Sequence, residues 1–182
     1  MRIIAGALKG RRLGAPTWAG LRPTSDKLRE TIFNVLAPRI EGARVLDGYA
    51  GTGALGIEAL SRGAAHVTFV EQDRRAAALI AANLEKCRIS GGYAIIQASV
   101  LQAIEGLKSK GNNAFDVILL DPPYASDFQD ALPRVGDIVK PDGVVILEHA
   151  RKTDAPAGAG RLTRVRELKS GDSVLTFYSC QP

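Results

Sequence analysis

From about Glu41 onward the chain alternates short apolar runs with stretches of helical period, and no other feature restricts its fold so far. Runs at 43–47, 66–71, 93–97, 115–120 and 143–148 read as strands, and segments 53–62, 73–87, 100–108 and 127–139 read as the helices between them. Strands joined through helices build a doubly wound, mostly parallel sheet. Two later runs, 162–168 and 173–179, flank a Gly-containing turn at Lys169–Asp172 and read as a hairpin that adds an antiparallel strand at the sheet edge. The expected architecture is α/β, with seven strands and a surface loop at Ala155–Gly160.

Ahead of this body lies a segment of different character. Residues 2–5 and 11–13 read as two short strands of a small hairpin around Gly6–Gly10. A helix follows, with Leu28, Ile32, Phe33, Val35 and Leu36 at helical spacing, Ser25 as its N-cap and Pro38 as its stop. Residues 1–39 hold eight basic residues and two acids, a net +6 against +5 for the whole chain, so the rest carries −1. A positive extension on a nearly neutral body is the footprint of a phosphate-contacting arm. The division expected is a basic, phosphate-contacting extension at 1–39 and an α/β domain at 40–182.

At 182 residues the chain suits one core, and 46% apolar with 24% charged residues excludes a disordered or fibrous chain. No apolar run approaches the ~20 residues that cross a bilayer, and no apolar signal segment follows the basic start, so a cytoplasmic protein without a membrane partner is expected. Cys87, Cys180, His66 and His149 lack metal-ligand spacing. The cysteines read as packed thiols of a reducing compartment, His149 as a structural histidine, and no metal is expected.

Asp47-Gly48-Tyr49-Ala50-Gly51-Thr52-Gly53-Ala54-Leu55-Gly56 directly follows the first strand of the alternating region and opens a helix. Gly51 and Gly53 let the turn tighten and a ligand approach the backbone, and Gly56 lets helix and strand pack. Glu71 ends the next strand, where an acid can accept both ribose hydroxyls of an adenosine moiety. The same glycines satisfy the G-x-G-x-x-G pattern of nicotinamide-dependent oxidoreductases, which the turn and the acid alone leave open.

Asp121-Pro122-Pro123-Tyr124 argues against a dehydrogenase, which has no need of it at the end of the buried strand Phe115–Leu120. An exocyclic base amine is a poor nucleophile because its lone pair is delocalised into the ring. Asp121 can accept one amine hydrogen and the Pro122 carbonyl the other, turning the nitrogen lone pair outward. Pro122 and Pro123 fix that carbonyl in place. Tyr124 can stack on a flipped or single-stranded base. A noncatalytic RNA-binding module would explain the charge but leave two well-placed pockets without a task.

The ordered set Asp47–Gly56, Glu71 and Asp121–Tyr124 resembles class I S-adenosylmethionine-dependent methyltransferases, with their Rossmann-like fold. Arg2-Ile3-Ile4-Ala5-Gly6, Lys9-Gly10-Arg11-Arg12-Leu13, Arg22-Pro23-Thr24-Ser25-Asp26, the run Arg29–Leu36 and Gly53–Ala64 together resemble the bacterial RsmD family over almost the whole chain. That resemblance implies methyl transfer to the exocyclic N2 of a guanine in small-subunit ribosomal RNA, within an assembling subunit, by an enzyme expected to be monomeric. It implies that Asp47, Gly51 and Gly53 line the methionine end of the donor and that Glu71 binds its ribose. Ala50, Thr52, Gln72, Ser99, Val100 and Asp121 complete the expected donor site. Arg2, Lys9, Arg11, Arg12, Arg22, Thr24 and Tyr124 are the expected RNA contacts. Two features depart from the family pattern: Gly48-Tyr49 replaces the usual Leu-Phe, and Ser99 stands where an Asp or Asn commonly meets the donor's adenine. The four-residue loop also serves amino-adenine methyltransferases, so guanine rests on the N-terminal resemblance.

Overall fold

The computed structural model describes residues 1–19, 24–109, 115–123 and 128–180. Helix α1 (Asp26–Ile40) precedes strand β1 (Arg44–Asp47), followed by α2 (Ala54–Ser61), β2 (His66–Val70), α3 (Arg74–Lys86), β3 (Tyr93–Ile96), α4 (Val100–Ser109) and β4 (Phe115–Leu120). Then come α5 (Ala131–Val135), β5 (Val139–Ala150), β6 (Gly158–Ala159), β7 (Leu162–Ser170) and β8 (Ser173–Cys180). They form a single sheet in the order β3-β2-β1-β4-β5-β8-β7-β6, with β1 to β5 parallel and β6 to β8 antiparallel. The order reverses between β1 and β4, and ligands of open α/β sheets bind at such a switch point, outside the carboxyl ends of the strands.

Alternation along each strand sorts the core into two layers. Val45, Val67, Phe69, Val117, Leu119 and Ile146 face the helices of one side, together with Ile32 and Phe33 of α1 and Ile57 of α2. Leu46, Val70, Ile118, Leu120, Val145 and Leu147 face α4 and α5. Ile3, Leu13, Leu28 and Leu36 belong to the first layer, so the N-terminal segment is packed into the body's own core. No described helix is long and apolar enough to cross a membrane.

Four expectations need correction. The sheet has eight strands, because Gly158–Ala159, inside the expected surface loop, pairs with Thr163 and Leu162. Among the described residues α5 covers Ala131–Val135 alone, and β5 begins at Val139, where it pairs with Phe115 before the register shifts to Val117 and Val144. Polar Lys140 to Asp142 interrupt the apolar pattern and hide that start. Pro38 does not stop α1, which runs on to the buried Ile40; this late in the helix the ring forfeits one backbone bond while the anchored end holds the last turn. The hairpin is closed by a single bridge, Arg2 to Arg12, rather than by two strands.

Buried ions hold that hairpin down. Glu58 of α2, 0% exposed, accepts bonds from the amides of Ile4 at 2.8 Å and Ala5 at 3.0 Å and from Arg62 Nε at 2.8 Å. Arg29, also 0% exposed, donates to the Arg2 carbonyl and to Asp26 Oδ1, both at 2.7 Å, so it is one of the basic residues of the extension that cannot reach a phosphate. His149 is buried with Nε2 2.8 Å from the Thr176 hydroxyl, the structural histidine expected. Cys87 and Cys180 are both buried.

Replacing Glu58 with Ala strands two backbone donors and the Arg62 guanidinium in a dry site. Urea unfolding should show a loss of about 3 kcal/mol or more, the range for breaking a buried charged pair. A loss below 1 kcal/mol would mean that the hairpin is not held through this carboxylate.

Candidate active site

The carboxyl ends of β1, β2 and β4 converge on a cleft of about 870 Å³, within the range of small-ligand sites. The turn after β1 is braced from both sides: the Gly48 amide donates to the Leu119 carbonyl at 2.8 Å and the Ala50 amide to the Val70 carbonyl at 3.0 Å. Gly53 has φ +77°, a left-handed backbone that side chains rarely adopt, and this turns the chain into α2. A Cβ on Gly56 would lie 2.2 Å from the Phe69 ring, so only glycine lets α2 settle on β2.

Of the residues expected to hold a donor, Ala50, Gly51, Thr52, Glu71, Gln72, Ser99, Val100 and Asp121 line the cleft. Glu71 reaches back to the turn, accepting from the Gly51 amide at 2.9 Å, and its other oxygen accepts from the Asp73 amide at 2.8 Å. Ser99 caps α4: its hydroxyl accepts from the Gln102 amide at 3.3 Å while Gln102 Oε1 accepts from the Ser99 amide at 3.2 Å. Its hydroxyl therefore serves the helix start, and an adenine contact falls more naturally to neighbouring backbone.

Asp47 and Gly53 lie behind the cleft wall instead of lining it. The Asp47 side chain is 1% exposed and its Oδ2 accepts from the Gly56 amide at 2.9 Å, holding the first turn of α2. Burial pushes its carboxyl up to about 7, opposed by the Gly56 N–H and reinforced by the negative charges of Asp121 and Glu71. Three acids thus feel one another around the glycine turn.

Asp121, Pro122 and Pro123 line the same cleft directly beyond β4. The Thr24 hydroxyl donates to Asp121 Oδ2 at 2.8 Å and ties the N-terminal segment to this acid. Tyr124 and Arg22 lie outside the described residues. Arg2, Lys9, Arg11 and Arg12 are exposed but do not line the cleft. Arg11 donates to the Cys87 carbonyl at the far end of α3, whose near end places Arg75 in the cleft wall. At 1.5 Å per residue that separation is about 18 Å. Among the described residues no cluster of His, Cys, Asp or Glu is placed to hold a metal ion.

Trp18, Glu148 and Ser173 are among the lining residues that sequence reasoning missed. Trp18 packs under Arg75, 5.0 Å from guanidinium to ring, and Glu148 and Ser173 enter from β5 and β8. Trp18 is the chain's one tryptophan, a signal that was available; the position of Glu148 depends on strand register, which a single sequence does not reveal.

The Asp47 proton has a consequence for stability. Below pH 3.8 the group is protonated whether the chain is folded or not. Between there and about 7 the unfolded chain ionises while the folded one keeps its proton, so this group's contribution to stability falls as pH rises and levels off above that window. Asp47→Asn, which keeps an acceptor for Gly56, should gain stability relative to the parent between urea titrations at pH 4.5 and 7. An unchanged difference would mean that Asp47 titrates normally.

Comparison with known proteins identifies relatives of the whole fold. The Ribosomal RNA small subunit methyltransferase D of Haemophilus influenzae is 40% identical over 154 residues, 81% of this chain and 78% of that protein. Its Escherichia coli K12 namesake is 43% identical over 124 residues, 68% of this chain and 60% of the relative. The structure of a hypothetical protein from Thermus thermophilus superposes with a TM-score of 0.85 at 28% identity, over 98% of this chain and 99% of that one. A family model described as conserved hypothetical protein 95 matches residues 1–179, and the chain belongs to that family, the RsmD family that its motifs resemble.

Proposed function

We propose that the chain transfers the methyl group of S-adenosylmethionine to the exocyclic N2 of a guanine in small-subunit ribosomal RNA. The observation that carries this reading is that the glycine turn, Glu71 and Asp121-Pro122 open into one cleft, so a donor and an acceptor amine can meet there. The cleft's size, its ribose-binding acid and its cluster of carboxylates fit an adenosyl sulfonium ligand. Bound there, the donor supplies an activated methyl carbon. Ala50, Gly51 and Thr52 would hold its amino-acid end, Glu71 and Gln72 its ribose, and Val100 with the backbone at Ser99 its base.

The protein's own part is orientation. Asp121, steadied by Thr24, accepts one amine hydrogen and the Pro122 carbonyl the other, which aims the nitrogen lone pair at the incoming carbon. After transfer the extra proton leaves to Asp121 or to water. A nicotinamide-dependent oxidoreductase would leave this clamp without use. Relatives named as ribosomal RNA methyltransferases support the RNA substrate, and an assembling small subunit suits the extended basic surface. Residues 1–39 act in this reading as the RNA-contacting extension of a catalytic body at 40–182.

Labelled methyl incorporation into unmodified small-subunit ribosomal RNA, followed by mapping of the product, tests the assignment. Asp121→Ala should lower transfer by about a hundredfold or more while donor binding by calorimetry persists. Equal loss of donor binding would mark Asp121 as structural. Lys9→Ala with Arg12→Ala should flatten the salt dependence of RNA binding, by about one unit of log–log slope for each lost phosphate contact. An unchanged slope would clear the hairpin of that role.

A further inference from the structure

The carboxyl ends of β4 and β5 each carry an acid. Leu120 pairs with Leu147 in parallel register, so Asp121 and Glu148, the next residue on each strand, follow side by side at the ~4.8 Å spacing of a ladder. Their side chains leave the same sheet face, because Leu119 and Ile146, two residues back on the two strands, both enter the layer beneath α1. Both acids line the main cleft, and both border a small void of about 10 Å³ beside Ile32 and Leu175. Glu148 is 7% exposed, and the Ser173 hydroxyl at the start of β8 donates to its Oε1 at 3.0 Å. A carboxylate offers about four acceptor positions, so this bond orients the group without exhausting it. Neither the donor site nor the amine clamp gives Glu148 a task.

Guanine and adenine differ where this acid stands. Beside its exocyclic amine guanine presents a hydrogen on N1, whereas adenine presents a lone pair there. We propose that Glu148 is the base-selecting residue of the acceptor site, its carboxylate accepting the N1 hydrogen of the target guanine while Asp121 and the Pro122 carbonyl take the two hydrogens of N2. This rests on the guanine reading above and supplies what the Asp-Pro-Pro-Tyr loop lacks, a reason to prefer guanine. Adenine in the same place would set its N1 lone pair against a buried carboxylate, and a site built to accept an N–H rejects the analogue that lacks it.

The test uses the full chain and a ribosomal RNA fragment spanning the mapped methylated nucleotide, carrying either guanine or 2-aminopurine there. 2-Aminopurine keeps the amine but has no hydrogen on N1. The parent enzyme should methylate the guanine fragment on the order of a hundredfold better in kcat/KM. Glu148→Gln, which offers an amide hydrogen to N1, should lose rate on guanine and gain on 2-aminopurine, with donor binding and melting temperature unchanged. A purely structural role would depress both fragments together. Parent discrimination near unity, or a Glu148→Gln variant that keeps the parent ratio, overturns the proposal; if that variant does not fold, Glu148→Asp carries the same ratio measurement. Absence of methyl transfer by the parent to any ribosomal RNA would instead sink the underlying assignment, and an N6-methyladenine product would overturn guanine selection while leaving the donor reading standing.

Discussion

The hydrogen bond from the Gly48 amide to the Leu119 carbonyl joins two strands whose first residues are 71 positions apart in sequence, and the geometry of the cleft depends on it. It lies at the point where the sheet reverses its winding, with the glycine turn on one side and Asp121 on the other. Because strands pair at a fixed spacing, the pairing of β1 with β4 determines how far the glycine turn stands from Asp121. The apolar layers on both faces exist, in functional terms, to keep that spacing from drifting.

Charge is distributed around this centre in a graded way. Asp47 sits behind the turn holding its proton, Glu71 is spent largely on backbone amides, and Asp121 opens to the cleft under the Thr24 hydroxyl. Negative charge in the cleft wall thus comes from Glu71 and Asp121, while exposed basic residues, among them Lys9 and Arg12, lie outside the cleft.

Much of this was legible in the sequence because it depends on local period. The strands from Val45, Val67 and Val117 announce themselves as apolar runs, and Gly51, Gly53 and Gly56 mark a turn whose steric need is visible from residue type. What depends on tertiary environment was not legible. Arg29 counted toward the basic arm and Glu58 stood out in no motif, yet both are sealed in the core, where Glu58 accepts from the Ile4 and Ala5 amides and Arg29 donates to the Arg2 carbonyl. Asp47 was read as a ligand contact because its place at a strand end suits one, and the backbone amide of Gly56 claims it first. Glu148 sits in an ordinary apolar strand, and only the register with β4 places it beside Asp121. The start of β5 was lost because Lys140 to Asp142 break the apolar pattern.

The distance between the hairpin and the cleft decides what kind of molecule can benefit from both. Arg11 is fastened one α3 length below the mouth, so a free nucleoside fills the acceptor pocket without ever feeling the hairpin. On the proposed reading, only a chain long enough to drape along that flank would engage the two together, its second contact costing little because the first has already localised it. On that reading, affinity would accrue along the polymer while chemistry stays with one base, and loose nucleotides would gain nothing from the hairpin.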